Sequence, residues 1–190
     1  MENLRSIREL ESYMTPLLSE ETLQKRCVEL GAQLTEAYQG RDLVVIGVLK
    51  GVFPFFTDLV RHIELPCACD FLGLSSYGSR RESSGVVRMT SDLSMPVVGR
   101  DVLIVEDIVD TGLTMTYLLN NIRTRNPASV KICTLLHKPA RTVEDVPLDY
   151  VGFTIEDHFV VGYGLDFQER LRNLPYIGYF ADEIPTLTKD

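Results

Sequence analysis

One segment, residues 102–114, constrains the fold of this chain more than any other. It begins with four β-favouring apolar residues, continues with two carboxylates, and ends in Asp-Thr-Gly before an apolar-periodic stretch. The apolar run predicts a buried parallel strand, and the periodic stretch predicts a helix. Glu106 and Asp107 are expected where the strand leaves the core, at the sheet edge where open α/β folds bind their ligands. We therefore expect the chemistry in the loop between this strand and this helix.

The same loop carries groups that can bind a phosphate. Thr111 and Thr114 supply hydroxyls, and the backbone of Gly112 can adopt angles that other residues avoid. The helix that follows begins with N–H groups that lack partners within the helix, and such N-termini bind anions. Glu106 and Asp107 would repel a phosphate, so the ligand should present hydroxyls or a bound divalent metal to these carboxylates. A phosphorylated ribose fits both requirements.

The rest of the chain alternates strands and helices, which is the order of a parallel sheet covered by helices. Ser19 is the predicted N-cap of an amphipathic helix that ends near Gly40. Further helices are predicted at residues 53–63 and 115–123, and strands at residues 43–49, 68–75, 86–89, 102–105, 130–136 and 151–155. Residues 1–18, which contain Pro16, are expected to form an arm or an early hairpin. A chain of 190 residues in this order predicts one α/β domain.

Charge and cysteine usage exclude several classes of protein. A net charge of -8 argues against a broad nucleic-acid interface, because phosphate contacts need clustered Lys and Arg. The sequence has no long apolar run and no basic N-terminal region followed by an apolar one, so we expect no membrane segment or secretion signal. Four cysteines scattered among apolar neighbours suit reduced thiols. We therefore expect a soluble cytoplasmic protein.

The segment 102–114 resembles the phosphoribosyl-pyrophosphate (PRPP) motif of type I phosphoribosyltransferases, with an apolar strand, an acidic pair, two spacers and Asp-Thr-Gly-x-Thr. Five segments match in the family's order, and the later ones are similar to its hypoxanthine-guanine branch. The resemblance implies a central, mostly parallel sheet flanked by helices, with a small hood. Residues 1–190 would form a single domain, with a core of about residues 20–140 and a hood from the N-terminal arm plus about residues 155–190.

Two further segments acquire PRPP-binding roles from this resemblance. Leu49, Lys50 and Gly51 match the family's pyrophosphate loop, in which a cis peptide bond before the lysine turns a backbone amide towards the ligand. Ser76 and Tyr77 stand at the base of a Gly- and Ser-rich hairpin tip and match a flexible loop that closes over PRPP. Closure would exclude water, which otherwise competes as the nucleophile.

Within the central segment, the resemblance implies that Glu106 and Asp107 hold the ribose hydroxyls or Mg²⁺. Residues 110–114 would cradle the 5-phosphate, and Asp110 would accept a proton from the purine ring. Leu113 departs from the family, because this position is often basic or polar in relatives. We expect backbone N–H groups to suffice for the phosphate there.

The base-binding residues are also implied by the resemblance. Lys138 follows a predicted strand and matches the lysine that hydrogen-bonds the exocyclic oxygen of 6-oxopurines. The run Phe-Val-Val-Gly-Tyr-Gly-Leu-Asp at residues 159–166 matches the purine-binding segment. Phe159 would lie against the purine, and the carbonyls of Val160 and Asp166 would accept from a guanine amino group.

Two residues near the end of this segment would serve the pyrophosphate and its metal. Asp166 would hold a second Mg²⁺ through water, in addition to the metal held by Glu106 and Asp107. Arg172 matches the arginine that meets pyrophosphate, although Arg170 is a rival for that role.

The predicted reaction is transfer of the 5-phosphoribosyl group from PRPP to hypoxanthine or guanine, with Mg²⁺ as cofactor. One alternative is a transcription regulator that keeps this fold and senses PRPP or nucleotide, but the acidic chain and Asp110 argue against it. The other is a pyrimidine phosphoribosyltransferase, which Lys138 and residues 159–166 disfavour. The sequence does not rank hypoxanthine, guanine and xanthine. The resemblance implies a homodimer or homotetramer.

Overall fold

The computed structural model describes residues 7–77 and 86–180. The helices are α1 (Ile7–Glu11), α2 (Glu20–Ala37), α3 (Phe53–Val60) and α4 (Leu113–Arg123). The strands are β1 (Met14–Leu18), β2 (Leu43–Leu49), β3 (Ala68–Tyr77), β4 (Val86–Ser91), β5 (Asp101–Val109), β6 (Ser129–His137), β7 (Tyr150–Thr154), β8 (Val160–Val161) and β9 (Ile177–Phe180). A short 3₁₀ helix covers Pro139–Arg141. No helix within the described ranges is long and apolar enough to cross a membrane.

The main sheet has the strand order β4-β3-β2-β5-β6-β7. β3 and β4 are antiparallel, and the other neighbouring strands are parallel. The predicted central, mostly parallel sheet is therefore confirmed. From β2 the chain moves to β3 on one side, and from β5 it moves to β6 on the other, so the order reverses between β2 and β5. Ligands of open α/β sheets bind in the crevice at such a reversal.

Helices cover both faces of this sheet because successive residues of a buried strand point to opposite faces. Val45 and Leu103 pack with α2 and α3 residues such as Leu30 and Phe55. On the other face, residues such as Ile46 pack with the apolar side of α4. The continuous apolar runs of β2 and β5, buried on both sides, are typical of parallel strands between two helical layers.

The helix boundaries follow local signals in the sequence. The Ser19 hydroxyl accepts a hydrogen bond from the Thr22 N–H at 3.2 Å, which confirms Ser19 as the N-cap of α2. The helix predicted from residue 53 ends at Val60, earlier than expected. The chain turns there, and α2 packs closely against the following segment: a Cβ at Gly31 would lie 2.4 Å from the Cβ of His62.

Residues 7–18 form an arm, so the alternative of an early hairpin is wrong for them, and residues 1–6 lie outside the described residues. β1 pairs antiparallel with β9, which lies near the other end of the chain, in a three-stranded sheet of order β1-β9-β8. Pro16 lies in β1, an edge strand, where a missing N–H costs no ladder bond. The small sheet packs on the large one through apolar residues, since Val160 and Ile177 belong to the same buried cluster as α2 and α3.

β5 runs further than predicted. The acidic pair was expected where the strand leaves the core, but pairing with β6 continues through Glu106 opposite Thr134 and ends with Val109 opposite His137. The physical reason is that Ile108 and Val109 are β-branched and extend the ladder past the carboxylates. The two acids are thus held on a strand, and the loop begins at Asp110.

Candidate active site

The acidic pair is buried at the end of the sheet. Oε2 of Glu106 is buried and has no hydrogen-bond partner in the described part of the chain, while Asp107 accepts a hydrogen bond from the Ile108 N–H at 2.8 Å. Burial, reinforced by the charge of Asp107, raises the pKa of Glu106 well above its usual range. Burial also raises the pKa of Asp107, although the positive charge of Arg172 opposes this. Two buried neighbouring carboxyls favour a bound cation, which would remove their repulsion.

The loop after β2 lies directly against this pair. The peptide bond between Leu49 and Lys50 is cis, as the family resemblance implied. A Cβ at Gly51 would lie 1.7 Å from Oδ2 of Asp107, and one at Gly164 would lie 1.8 Å from the Gly51 carbonyl oxygen. Only glycine fits at both positions, so the Leu49–Gly51 loop, β5 and the segment around Gly164 meet at one point.

The loop after β5 is shaped by its backbone. Gly112 is the N-cap of α4 with φ 81°, a left-handed conformation that favours glycine. A Cβ there would lie 2.1 Å from the Glu144 carbonyl oxygen. The Thr111 carbonyl accepts hydrogen bonds at 3.0 Å from the N–H groups of Val143 and Glu144. Hydrogen bonds from the segment after β6 therefore hold the loop after β5 in place.

A cavity of about 200 Å³ opens inside this loop. It is lined by residues 106–112 together with Thr114 and Met115. Leu113 is the first residue of α4, so its N–H and those of the next residues belong to the unpaired first turn of the helix. The loop residues that the sequence assigned to the phosphate thus surround one cavity at a helix N-terminus.

Arg172, rather than Arg170, lies beside the acidic pair. The Arg172 guanidinium is 3.0 Å from Oδ1 of Asp166 and 3.3 Å from Oε2 of Glu169, and it donates to the Gly164 carbonyl at 2.8 Å. Burial raises the pKa of Asp107, and the positive charge of Arg172 is among the influences that oppose this rise. The Arg170 side chain is exposed. Of the two candidate arginines, Arg172 is the one bonded to Gly164, which packs against the Leu49–Gly51 loop.

Lys138 follows β6 beside the end of β5, and its backbone N–H donates to the Val109 carbonyl at 3.0 Å. Its side chain is only 5% exposed, and its ammonium group donates to the His158 carbonyl and lies 3.7 Å from Oδ1 of Asp157. Burial lowers the pKa of Lys138, while the charges of Asp110 and Asp157 oppose that change. A buried ammonium with carboxylates nearby is a directed donor for a ligand oxygen.

Phe159 and Val160 follow His158 and occupy different environments. Phe159 is 46% exposed, and its ring makes an edge contact with Phe167 at 6.1 Å between centroids. Val160 is buried in β8, opposite Tyr179 of β9. Phe159 therefore presents exposed ring surface that a flat ligand could contact, while the next residue anchors the backbone.

Sequence reasoning missed two charged residues of the site. Nε of Arg141 is 3.4 Å from Oδ1 of Asp110, and its Nη1 is 3.9 Å from Oδ1 of Asp157. Glu169 pairs with Lys50 at 3.0 Å as well as with Arg172. Arg141 could have been found in the sequence from its position three residues after Lys138. Nothing local in the sequence pointed to Glu169.

The predicted closing loop lies mostly outside the described residues. Ser76 and Tyr77 end β3, where their backbones pair with Val87 and Val86 of β4. The hairpin tip, residues 78–85, is not among the described residues. Because β3 is parallel to β2, Tyr77 lies at the same edge of the sheet as Lys50.

Comparison with known proteins agrees with this geometry. Residues 16–168 match the family described as phosphoribosyl transferase domain. Since the match spans most of the chain, the chain belongs to the phosphoribosyltransferase family.

Two relatives within that family and one solved structure are similar to this chain over most of their own length. The hypoxanthine-guanine phosphoribosyltransferase of Bacillus subtilis (strain 168) is 53% identical over 162 residues, which are 85% of this chain and 90% of the relative. The enzyme of the same name from Mycobacterium avium is 52% identical over 85% of this chain and 83% of its own. A crystal structure of a hypoxanthine phosphoribosyltransferase from Staphylococcus aureus matches with a TM-score of 0.87 and 44% identity, over 94% of this chain and 96% of that one.

Proposed function

We propose that this protein transfers the 5-phosphoribosyl group from PRPP to a 6-oxopurine, hypoxanthine or guanine, and releases pyrophosphate. The reaction would salvage a free base as IMP or GMP. One observation carries the proposal: the buried ammonium of Lys138 faces the Phe159 segment next to Asp110, so a base site adjoins a phosphate site. The names of the relatives point to the same substrates.

PRPP would bind across the reversal point of the sheet. Residues 110–114 would hold the 5-phosphate through their backbone N–H groups and through the hydroxyls of Thr111 and Thr114. Glu106 and Asp107 would meet the ribose hydroxyls or a metal. The Leu49–Gly51 loop and Arg172 would hold the pyrophosphate, because both lie against Asp107.

The donor set at the acidic pair suits Mg²⁺. Buried Oε2 of Glu106 lacks a partner within the described ranges, and carboxylate oxygens are preferred Mg²⁺ ligands. No cluster of three or more His, Cys, Asp or Glu side chains in residues 7–77 and 86–180 could hold a metal alone. Glu106 and Asp107 would therefore share the ion with oxygens of PRPP, and Asp166 would hold a second ion through water. Bound Mg²⁺ neutralises charge on the departing pyrophosphate.

The base would lie between Phe159 and Lys138. The ammonium group of Lys138 would donate to the exocyclic oxygen of a 6-oxopurine, and the backbone carbonyls of Val160 and Asp166 would accept from guanine. Adenine presents an amino group at the same position, which would leave the ammonium unpaired. Lys138 would thus select oxopurines.

Asp110 would serve as the general base. The ring nitrogen of the purine attacks C1 of the ribose, the bond from C1 to the pyrophosphate oxygen breaks, and its electron pair leaves with pyrophosphate. The proton of the purine N–H passes to the Asp110 carboxylate, which makes the attacking nitrogen more electron-rich. The guanidinium of Arg141 lies 3.4 Å from Oδ1 of that carboxylate and would hold it in position before the reaction.

The small β1-β9-β8 sheet would act as a hood over this edge. It carries Val160 in β8, and the bond from Lys138 to His158 links it to the end of β6. We therefore propose one domain over residues 1–190, with a core of about residues 20–140 and a hood from the arm plus about residues 155–190. The main sheet includes β7, between these two ranges. Ser76 and Tyr77 would close over bound PRPP.

We also propose a cytoplasmic homodimer or homotetramer. The four cysteines are free, the state that thiols keep in a reducing compartment. Exposed Leu49, Phe53 and Phe71 place apolar surface near the Lys50 loop, where a second copy could bind.

The direct test is turnover of PRPP with hypoxanthine. Purified protein with Mg²⁺ should form nucleotide and pyrophosphate in equal amounts. A chelator should abolish the reaction and added Mg²⁺ should restore it, because the acidic site cannot itself neutralise pyrophosphate. Full activity in chelator would contradict the role given to the metal, and absence of nucleotide would contradict the function.

A further inference from the structure

Glu169 lies between Lys50 and Arg172, the two cationic residues proposed to bind pyrophosphate. Its Oε2 lies 3.0 Å from Nζ of Lys50 and 3.3 Å from Nη2 of Arg172, so one carboxylate oxygen bridges both cations. Lys50 and Glu169 are 119 positions apart in the chain, and the contact joins the loop after β2 to the turn after Asp166. The sequence motifs assign Glu169 no role in the reaction.

The contacts of Arg172 indicate which partner a phosphate would replace. Its guanidinium already donates to the Gly164 carbonyl and contacts two carboxylates, those of Asp166 and Glu169. The Asp166 side chain is 20% exposed and also accepts from the Glu169 N–H at 2.8 Å, which holds it in the turn. The Glu169 side chain is 58% exposed and extends over the cations. Glu169 is therefore the partner that can leave without disturbing the turn.

We propose that Glu169 is a competing anion that holds Lys50 and Arg172 in the free enzyme and must leave when pyrophosphate or the pyrophosphate arm of PRPP binds. The return of its carboxylate to the two cations then favours product release. This inference rests on the proposed function of the site. Glu169 acts through Lys50 and Arg172 and is a positioning residue. Its substitution should therefore change the affinity for pyrophosphate and PRPP.

The size of the effect follows from the exposure of the ion pairs. The Lys50 side chain is 71% exposed, and pairs this open to solvent are weak. Removing the carboxylate charge should therefore tighten pyrophosphate binding by roughly three- to tenfold. The KM for PRPP should fall in the same direction, and inhibition by pyrophosphate should strengthen.

The experiment is calorimetric titration of the full chain with inorganic pyrophosphate and Mg²⁺. Glu169→Gln keeps the size of the side chain and removes its charge. Because φ at this position is 64°, Glu169→Asn is a second variant, since asparagine tolerates a left-handed backbone. The matched control is Glu29→Gln, which removes an exposed partner of Arg26 on α2 and changes the net charge equally.

Tighter pyrophosphate binding by both Glu169 variants, with Glu29→Gln unchanged, would support the inference. Unchanged or weaker binding in folded Glu169 variants would overturn it, and so would equal tightening in the Glu29→Gln control. Wild-type protein that binds pyrophosphate but forms no nucleotide would contradict the proposed function while leaving this test valid. Wild-type protein that binds no pyrophosphate with Mg²⁺ would overturn the inference itself.

Discussion

The two sides of the site differ in what shapes them. The phosphate side, which comprises the Leu49–Gly51 loop and residues 110–114, is defined by backbone: a left-handed Gly112, close glycine contacts and a helix N-terminus. The base side, which comprises Lys138 and residues 157–160, is defined by one buried ammonium and an open aromatic ring. In the proposed reaction, backbone groups would hold the phosphorylated ribose, whereas side chains would choose the base.

Asp110 belongs to the phosphate side and contacts Arg141, which also contacts Asp157 of the base side. Its loss should have the largest effect. Asp110→Asn keeps the size but cannot take the proton, so kcat should fall by roughly 10²- to 10³-fold while PRPP binding changes much less. Steady-state kinetics checks this. The control is Asp92→Asn, which removes an exposed carboxylate paired with Arg125 outside the site and should retain activity. An unchanged kcat in Asp110→Asn would move the general base elsewhere.

Gly112→Ala should break the phosphate side. The added Cβ would meet the Glu144 carbonyl at 2.1 Å and displace the loop, and misplacement of this kind costs roughly 10²-fold in kcat/KM for PRPP. Gly99→Ala is the matched control: Gly99 also has a positive φ, of 70°, but a Cβ there meets nothing within 4 Å. If both variants lose activity equally, backbone strain alone explains the result, and the close approach to Glu144 is not needed.

Lys138→Ala should affect the base side alone. A ligand oxygen without a charged donor loses about 1.5 to 3 kcal/mol, so kcat/KM for hypoxanthine and guanine should fall by roughly ten- to a hundredfold. PRPP affinity, measured by titration, should change little. An equal loss of PRPP affinity would show that the two sides are not separate.

Asp70 lies outside both sides of the site. Its substitution should therefore change the stability of the fold rather than catalysis. Although burial opposes ionisation, hydrogen bonds from Phe71, Ser94 and Met95 lower the pKa of Asp70. Because the pKa of Asp70 is lower in the folded than in the unfolded chain, its carboxylate stabilises the fold at pH values above the unfolded pKa. This contribution is lost as the pH falls through the folded pKa. Asp70→Asn should cost roughly 1.5 to 3 kcal/mol at neutral pH, with little change in kcat.

Urea unfolding at neutral and acid pH measures this effect. The gap in unfolding free energy between wild type and Asp70→Asn should narrow below about pH 4 as the wild-type carboxylate takes a proton. Asp42→Asn is the control: the pKa of Asp42 is also lowered by a hydrogen bond, from Arg100, but the Asp42 side chain is exposed, so its loss should cost less. If the difference in unfolding free energy between wild type and Asp70→Asn grew at acid pH, the stabilising role assigned to the Asp70 carboxylate would be contradicted.

The sequence predicted the phosphate side better than the base side for a physical reason. Residues 106–114 are contiguous, so their spacing alone placed an acidic pair, a glycine turn and a helix start together. The parallel sheet was likewise predicted, and confirmed, because buried strands have a clear apolar pattern. The roles of these residues in binding PRPP stay predictions.

Contacts between distant segments could not be predicted. The approach of Gly51 to Asp107 and the ion pair of Lys50 with Glu169 depend on how the segment around Gly164 packs on the core. The extension of β5 through the acidic pair was also missed, because the two carboxylates interrupt the apolar pattern that marks a strand.

The central claim is that the base side selects 6-oxopurines for a phosphate side that binds PRPP. It is tested most directly by measuring pyrophosphate release by the wild-type protein with PRPP, Mg²⁺ and each of hypoxanthine, guanine, xanthine, adenine, uracil and orotate. We expect rapid release with hypoxanthine or guanine and little with adenine or the pyrimidines, because Lys138 requires an acceptor on the base. Preference for adenine or a pyrimidine, or binding of PRPP without release on any base, would contradict the account.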